Sequence, residues 1–446
     1  MDDFSDVASL LAEVFLRGKW SSDELLERGR KVTGRRFEKS LKSIVAAVIS
    51  EFGANPPVPV QQVLARFLAS HPRMERLQEV ATKIHRALAD LPPVQMQPAP
   101  SLAGPVFPQI TTPGALGEWL GVTIRELDWF ADVAGYQRRT SIEALRHYRY
   151  RTLAKRSGGL RLLQSPKPRL KQLQRQILHG ILDHVPGHPA SHAFRIGRSV
   201  VSYVTPHAGR AVILHVDLRE FFPSIRASRV FSIFHTLGYP ERVSRILTGL
   251  CTNRVPVTEL MGLPASSSRD AYPWDTFARI RYRSPHLPQG APTSPSLANL
   301  AAYRLDVRLS ALAQRFGVTY TRYADDLLFS GGNEFVRAMS RFRNLTCAIV
   351  LDEGFAIRER KMRVLPQGGR QRVAGVVLNA HPNPPRREYD DLKALLFNCV
   401  RFGPASQNRN HHRQFREHLR GRIVWMSTIN ADRGKKLQAL FDRIGW

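Results

Sequence analysis

The stretch that decides the fold is Tyr323-Ala324-Asp325-Asp326, which lies between the strand-forming runs 318–321 and 327–330. Gly331 and Gly332 close the second run. Two short β-prone runs joined by a tight turn predict a β-hairpin with adjacent carboxylates at its tip. Neighbouring carboxylates repel each other unless a cation lies between them, and magnesium prefers oxygen ligands of this kind. The hairpin is therefore a candidate metal site.

A third carboxylate strengthens this interpretation. Asp217 follows the aliphatic run 211–216, so we expect it at the end of a buried strand. A two-metal phosphoryl-transfer site needs carboxylates that hold one ion to activate the attacking hydroxyl and a second ion to steady the leaving pyrophosphate. A single Asp more often caps a turn. The metal hypothesis therefore depends on Asp217, Asp325 and Asp326 occurring together among further motifs.

The charge of the chain favours a polyanionic partner. Its 446 residues include 66 Lys and Arg against 37 Asp and Glu, which gives a formal net charge of +29. A field of this sign favours nucleic acid, because basic side chains neutralise phosphates and release counterions. A ribosomal or structural RNA-binding protein would share the charge but would not need the three carboxylates.

The cysteines and the hydropathy pattern predict a cytoplasmic protein without membrane contact. Cys251, Cys347 and Cys399 match no disulfide or zinc spacing, and we interpret them as small core residues in a reducing compartment. The first residues contain no apolar signal core, and no run of about eighteen apolar residues occurs.

Four segments are predicted along the chain. Residues 1–91 show helical periodicity and predict an all-α N-terminal domain. Residues 92–113 are rich in proline and predict an extended linker. Residues 114–380 mix helical and strand patterns, and residues 381–446 predict basic helices.

Further motifs in residues 145–446 carry a family resemblance. A basic Gly-containing hairpin at 155–161 is followed by the block 192–199, by Asp217, by the string Leu-Pro-Gln-Gly-Ala-Pro-Thr-Ser-Pro at 287–295 and by the Tyr-Ala-Asp-Asp hairpin. In these motifs and in their order the chain resembles bacterial retron-type reverse transcriptases, which are right-hand polymerases. The resemblance implies an α/β (α+β) fold with a fingers-palm core over 114–380, an antiparallel palm sheet, and a helical thumb over 381–446.

The resemblance also implies roles in catalysis and nucleotide binding. Asp217, Asp325 and Asp326 would be catalytic and, with the backbone carbonyl of Leu218, would hold two Mg²⁺ ions. The nucleotide-binding residues would be Lys155, Arg161, Phe222, Gln289, Gly290 and Lys361. Phe222 would be the steric gate that rejects a ribose 2′-hydroxyl, whereas Phe221 is expected to point into the core because strand side chains alternate. Gly290 would let the backbone approach the substrate. Lys361 would approach the leaving pyrophosphate, a role for which Arg358, Arg360 and Arg363 compete.

Contacts to RNA or primer are implied for a separate, mostly basic set of residues. That set is Arg195, Arg198, His207, Gly375, Arg416 and Arg420. Two stretches depart from the retron pattern: Tyr203-Val204-Thr205-Pro206-His207 replaces an Asn-Ala-x-x-His block, and Val373-Ala374-Gly375 replaces Val-Thr-Gly. These departures concern RNA recognition rather than polymerisation.

The function implied by the resemblance is RNA-directed DNA synthesis on a bound, structured noncoding RNA. The product would be single-stranded DNA linked to RNA, primed from an RNA 2′-hydroxyl, in antiphage defence. Expected partners are the cognate RNA, the RNA–DNA product, dNTPs and an effector protein. Three alternatives stay open: another defence-associated or abortive-infection reverse transcriptase, a group II intron-like reverse transcriptase, and a catalytically idle RNA-binding scaffold.

Overall fold

The computed structural model describes residues 3–16, 20–53, 60–80, 96, 107–132, 135–137, 140, 142–154, 160–261 and 281–446. The chain divides into two compact units. The first comprises Met1–Gln97, Gln109–Tyr136 and Gly238–Gly249, and the second comprises Pro98–Pro108, Gln137–Leu237 and Leu250–Trp446. The four-segment division expected from the sequence has other boundaries and stays a prediction.

The first unit is helical, as the periodicity predicts. Its helices are α1 (Asp3–Leu16), α2 (Ser22–Thr33), α3 (Glu38–Phe52), α4 (Val60–Ala69), α5 (Pro113–Leu120) and α6 (Ile124–Phe130). Buried side chains such as Leu11, Phe15, Leu25 and Ile44 form one hydrophobic core. Local signals set the helix starts, because the Ser21 hydroxyl accepts the Glu24 N–H at the first turn of α2.

The second unit contains an antiparallel hairpin and an antiparallel four-stranded sheet. The hairpin pairs β1 (Tyr148–Ala154) with β2 (Leu160–Pro166). The sheet has the order β4-β5-β3-β6 and comprises β3 (Val212–Asp217), β4 (Thr319–Tyr323), β5 (Asp326–Gly331) and β6 (Arg363–Pro366). A two-stranded hairpin follows, formed by β7 (Arg372–Val373) and β8 (Val376–Val377). The antiparallel palm sheet is confirmed.

Before the C-terminal part, the following helices belong to the second unit, one of them only in part. They are α7 (Pro168–Gly180), α8 (Val200–Val204), α9 (Phe221–Ser224), α10 (Ala227–Thr236), α11 (Glu241–Cys251, divided between the units), α12 (Val257–Met261), α13 (Ser294–Ala301), α14 (Tyr303–Arg315) and α15 (Asn333–Asp352). Strands β3 and β5 are buried along nearly their whole length. This explains why both read as continuous apolar runs rather than as alternating ones.

One local prediction is wrong. Phe221 and Phe222 do not alternate along a strand, because residues 221–224 form the short helix α9. Phe221 is nevertheless buried, and it stacks on Phe355 with a ring-centroid distance of 5.7 Å.

The C-terminal part forms the predicted helical thumb. Its helices are α16 (Arg386–Phe402), the short α17 (Pro404–Gln407), α18 (Phe415–Ile429) and α19 (Ala431–Phe441). Leu396, Leu419 and Leu437 lie in their common core. A Cβ at Gly434 would lie 2.1 Å from Ser427 Oγ, so glycine is what lets α18 and α19 pack this closely. Within the ranges described above, no helix is both long and apolar enough to cross a membrane.

Candidate active site

The three predicted carboxylates meet at one end of the palm sheet. Asp217 ends β3 and Asp326 begins β5, and the register of the two strands pairs these residues directly. Residues opposite each other in an antiparallel pair have Cβ atoms roughly 4.5–5.5 Å apart. Asp325 lies in the β4–β5 turn, where its backbone carbonyl accepts the Leu218 N–H at 2.8 Å. The hairpin and the end of β3 are therefore joined at the site.

The carboxylates are crowded enough to affect ionisation. Burial, reinforced by the nearby charges of Asp326 and Asp217, raises the pKa of Asp325 to about 6. His215 Nε2 lies 2.8 Å from Asp326 Oδ1. His215 precedes Asp217 by two residues on β3, so both side chains project from the same face of the strand. The repulsion among the acids is the kind that a divalent cation relieves.

Two cationic side chains contact Asp217. Lys361 Nζ lies 3.1 Å from Oδ2, and Arg358 Nη1 lies 3.2 Å from Oδ1. Oδ1 is buried and, among the described residues, accepts no hydrogen bond of good geometry, so it keeps lone pairs for a cation. The donors fit a magnesium site chemically. In the part of the chain described, however, no three His, Cys, Asp or Glu side chains are already arranged to hold a metal ion.

Three of the predicted nucleotide-binding residues share one cavity of about 400 Å³. Phe222, Gln289 and Gly290 line it together with Lys171 and Arg175 of α7. Arg175 was not among the predicted site residues, although a spacing of four residues puts Lys171 and Arg175 on one face of the helix. The cavity therefore combines an aromatic wall with positive charge.

Gly290 has a structural reason to be glycine. Its φ is +130°, and a Cβ would lie 3.0 Å from the carbonyl oxygen of Gln164 on β2. In the same place the Gln164 N–H donates to the Gln289 carbonyl at 2.9 Å. The close approach observed is thus to the protein backbone, whereas the sequence predicted an approach to substrate.

The other predicted nucleotide-binding residues differ in their location. Arg161 is exposed on β2, opposite Leu153. Lys155 lies outside the described residues. Lys361, expected near the pyrophosphate, lies against Asp217, as described above.

His207 does not match its predicted role. It is fully buried, with Nδ1 2.7 Å from Ser330 Oγ and Nε2 2.8 Å from Thr321 Oγ1. Burial lowers its pKa to about 3, with Arg210 contributing. Because both ring nitrogens are engaged inside the palm, His207 is a core residue in this structure and not an RNA contact.

The other predicted RNA-binding residues vary in accessibility. Arg195 Nη1 donates to the His188 carbonyl at 2.7 Å, which makes this side chain partly structural. Arg198 is exposed. Gly375 has a φ of +84° in the β7–β8 turn. Arg416 and Arg420 are exposed one turn apart on α18.

Comparison with known proteins agrees with this geometry. Residues 153–374 match the family described as reverse transcriptase (RNA-dependent DNA polymerase). The retron Ec86 reverse transcriptase of Escherichia coli is 30% identical over 310 residues, which cover 67% of this chain and 84% of that protein. The chain belongs to the retron reverse transcriptase family.

Two further retron reverse transcriptases, both from Myxococcus xanthus, are similar. The Mx65 enzyme is 40% identical over 66% of this chain and 64% of its own length, and the Mx162 enzyme is 34% identical over 73% and 65%. This chain thus spans less than two thirds of either Myxococcus relative. A solved structure of telomerase from Candida albicans with a telomeric RNA fragment aligns with 96% of this chain and with 86% of the telomerase chain, at 11% identity. Its TM-score of 0.34 is too low to support an inference.

Proposed function

We propose that this retron reverse transcriptase is an RNA-directed DNA polymerase whose catalytic carboxylates are Asp217, Asp325 and Asp326. The observation that carries the proposal is the direct pairing of Asp217 with Asp326 across β3 and β5, beside Asp325 in the turn. These side chains, with the Leu218 backbone, would hold two Mg²⁺ ions. Such ions lower the pKa of an attacking hydroxyl and neutralise charge on the reacting phosphate.

The residues around the carboxylates suit the remaining tasks. Lys361 and Arg358 lie beside Asp217 and would bind the phosphates of an incoming dNTP and its leaving pyrophosphate. Phe222 lines the cavity that also contains Gln289, where its ring would exclude a ribose 2′-hydroxyl. Arg161 would extend the positive surface along β2.

We propose further that the template is part of a structured noncoding RNA that stays bound to the protein. Membership of the retron family and the net charge of +29 support this. DNA would grow from a 2′-hydroxyl of the RNA, in the cytoplasm and in antiphage defence with an effector protein. Residues 203–207 and Ala374 depart from the retron markers, so the priming chemistry is the part that most needs a test.

The carboxylate assignment is tested with Asp325→Asn/Asp326→Asn on a generic primer–template. We expect incorporation to fall by about a thousandfold or more, given the effect of removing comparable charge-stabilising groups. RNA affinity should be unchanged, because phosphate contacts and metal ligation use different residues. Substantial residual synthesis by the variant would contradict the metal site.

The priming proposal is tested on DNA from cells that express the protein with its flanking RNA gene. After ribonuclease treatment the DNA should keep a short RNA stub, and a debranching enzyme should release that stub. DNA with a free 5′ end, or DNA joined to a protein hydroxyl, would favour the other defence-associated reverse transcriptases instead.

A further inference from the structure

Arg322 lies next to the catalytic motif in sequence and is completely buried. It is on β4, one residue before Tyr323, and its side chain is 0% exposed. An arginine cannot lose its charge at any ordinary pH, so burying it demands full compensation. The arrangement of its partners shows how that demand is met.

All five guanidinium N–H groups of Arg322 donate hydrogen bonds inside the protein. Nε and Nη2 donate to the two carboxylate oxygens of Asp306 at 2.8 and 2.7 Å, and Asp306 is itself 0% exposed. Nη1 donates to Asn299 Oδ1 at 3.0 Å and to the Ala324 carbonyl at 3.1 Å. The second Nη2 hydrogen reaches Ser191 Oγ at 3.2 Å. Five donors in a fixed plane are the complete set that arginine has.

The bond to Ala324 falls at the strained point of the hairpin. Ala324 has a φ of +56°, a left-handed conformation that is unfavourable for a residue with a Cβ. The next two residues are Asp325 and Asp326. The orientation of the Ala324 carbonyl therefore sets the positions of both Asp325 and Asp326.

Arg322 also joins the hairpin to the segment before α8, through its side-chain bond to Ser191 and through its backbone. Backbone bonds run from Arg322 N–H to the Ala190 carbonyl at 2.7 Å and from His192 N–H to the Arg322 carbonyl at 2.8 Å. Asn299 completes the connection, because its Nδ2 donates to the Ala193 carbonyl at 2.8 Å. Helices α13 and α14, β4 and this segment thus meet at one guanidinium.

We propose that Arg322, held by Asp306, is a positioning residue for catalysis: its guanidinium maintains the left-handed turn at Ala324 and so places Asp325 and Asp326 for metal binding. This inference rests on the proposed polymerase function. Stability alone does not account for the pair, because replacing a buried ion pair with apolar residues of similar volume is often neutral or stabilising. A lysine would keep the charge, but it could not make both the bidentate contact with Asp306 and the hydrogen bond to the Ala324 carbonyl.

The decisive variant is Arg322→Met/Asp306→Leu, which removes both charges and keeps the volume. We expect an unchanged unfolding midpoint, a turnover number lowered roughly 10- to 100-fold and a nearly constant KM for dNTP, as for other groups that orient metal ligands. Mn²⁺ affinity, measured by calorimetry without nucleic acid, should fall by a similar factor. The matched control is Tyr320→Phe, which removes only the hydroxyl bond to Asp306 at 2.8 Å and should behave as the parent.

Parent-like turnover and Mn²⁺ affinity in the folded double variant would overturn the proposal. If that variant fails to fold, Arg322→Lys decides: a lower turnover number with constant KM supports positioning, and parent-like turnover refutes it. A parent protein that binds Mn²⁺ yet incorporates no dNTP would contradict the polymerase function instead, while the Mn²⁺ comparison would still test Arg322.

Discussion

Replacing Gly290 with alanine is expected to displace the loop that carries Gln289. At a φ of +130° a residue with a Cβ costs about 1–3 kcal/mol in strain. The new Cβ would also lie 3.0 Å from the Gln164 carbonyl oxygen, which is backbone and cannot rotate away. If the loop moves off β2, the 2.9 Å bond from Gln164 N–H to the Gln289 carbonyl is lost as well, at about 1 kcal/mol. Together these give a destabilisation of about 2–4 kcal/mol, localised beside the cavity lined by Phe222.

The functional effect should exceed the effect on stability. A shift of about 1 Å in a substrate-positioning group can cost on the order of 100-fold in rate, so kcat/KM for dNTP should fall by about that factor. The assays are denaturant unfolding and incorporation on a primed RNA template.

Gly332→Ala is the matched control for this prediction. Gly332 has a φ of −83°, and a Cβ there would meet nothing within 4 Å. This control should stay within about 0.5 kcal/mol of the parent and keep its rate. The reasoning would be refuted if Gly290→Ala unfolded at the parent's denaturant concentration and kept the parent's kcat/KM.

Three further variants test other parts of the molecule. Phe222→Ala should lower the preference for dNTP over rNTP by roughly 10-fold or more without stopping synthesis, and an unchanged preference would make Phe222 a packing residue. Arg416→Glu/Arg420→Glu should weaken RNA binding and reduce the slope of log affinity against log salt concentration by roughly 1–2 in magnitude. Equal slopes in variant and parent would place the RNA-binding surface elsewhere. His207→Gln should reduce acid sensitivity. Because burial holds the pKa of His207 near 3, below the ordinary value of about 6.5, its contribution is complete above pH ~6.5 and is lost as the pH falls towards 3, by up to about 1.4 kcal/mol per pH unit. Unfolding free energies measured between pH 7 and 4 should therefore fall less steeply in this variant, and parallel slopes would contradict the assignment.

The elements that sequence predicts best here are those specified by neighbouring residues. The hairpin at Tyr323, the strand that ends at Asp217 and the helices of both ends appear as expected. Turn chemistry and hydrophobic periodicity act over a few residues, so they can be read without knowledge of the fold. The error at Phe221 and Phe222 arose because a four-residue helix is too short to show a period.

Burial and charge pairing were harder to predict. His207 is the histidine kept in a stretch that otherwise departs from the retron Asn-Ala-x-x-His block, and its partners Ser330 and Thr321 are more than 100 residues away in sequence. The contacts of Arg358 and Lys361 with Asp217 likewise join distant segments. The partners Ser330, Thr321 and Asp217 lie on strands, where a register shift of one residue would turn each side chain to the other face of the sheet.

The sequence by itself determined the three carboxylates, the strands and turn that carry them, the loop-to-helix block with Gln289, and a charge suited to nucleic acid. Only the tertiary structure decided that Asp217 pairs with Asp326, that Arg175 joins the cavity, and that Arg322 is saturated by groups from separate segments. The physical reason is that hydrogen bonds and ion pairs act over a few ångströms in space. Proximity of that kind arises when strands pair and helices pack, and local sequence does not encode it.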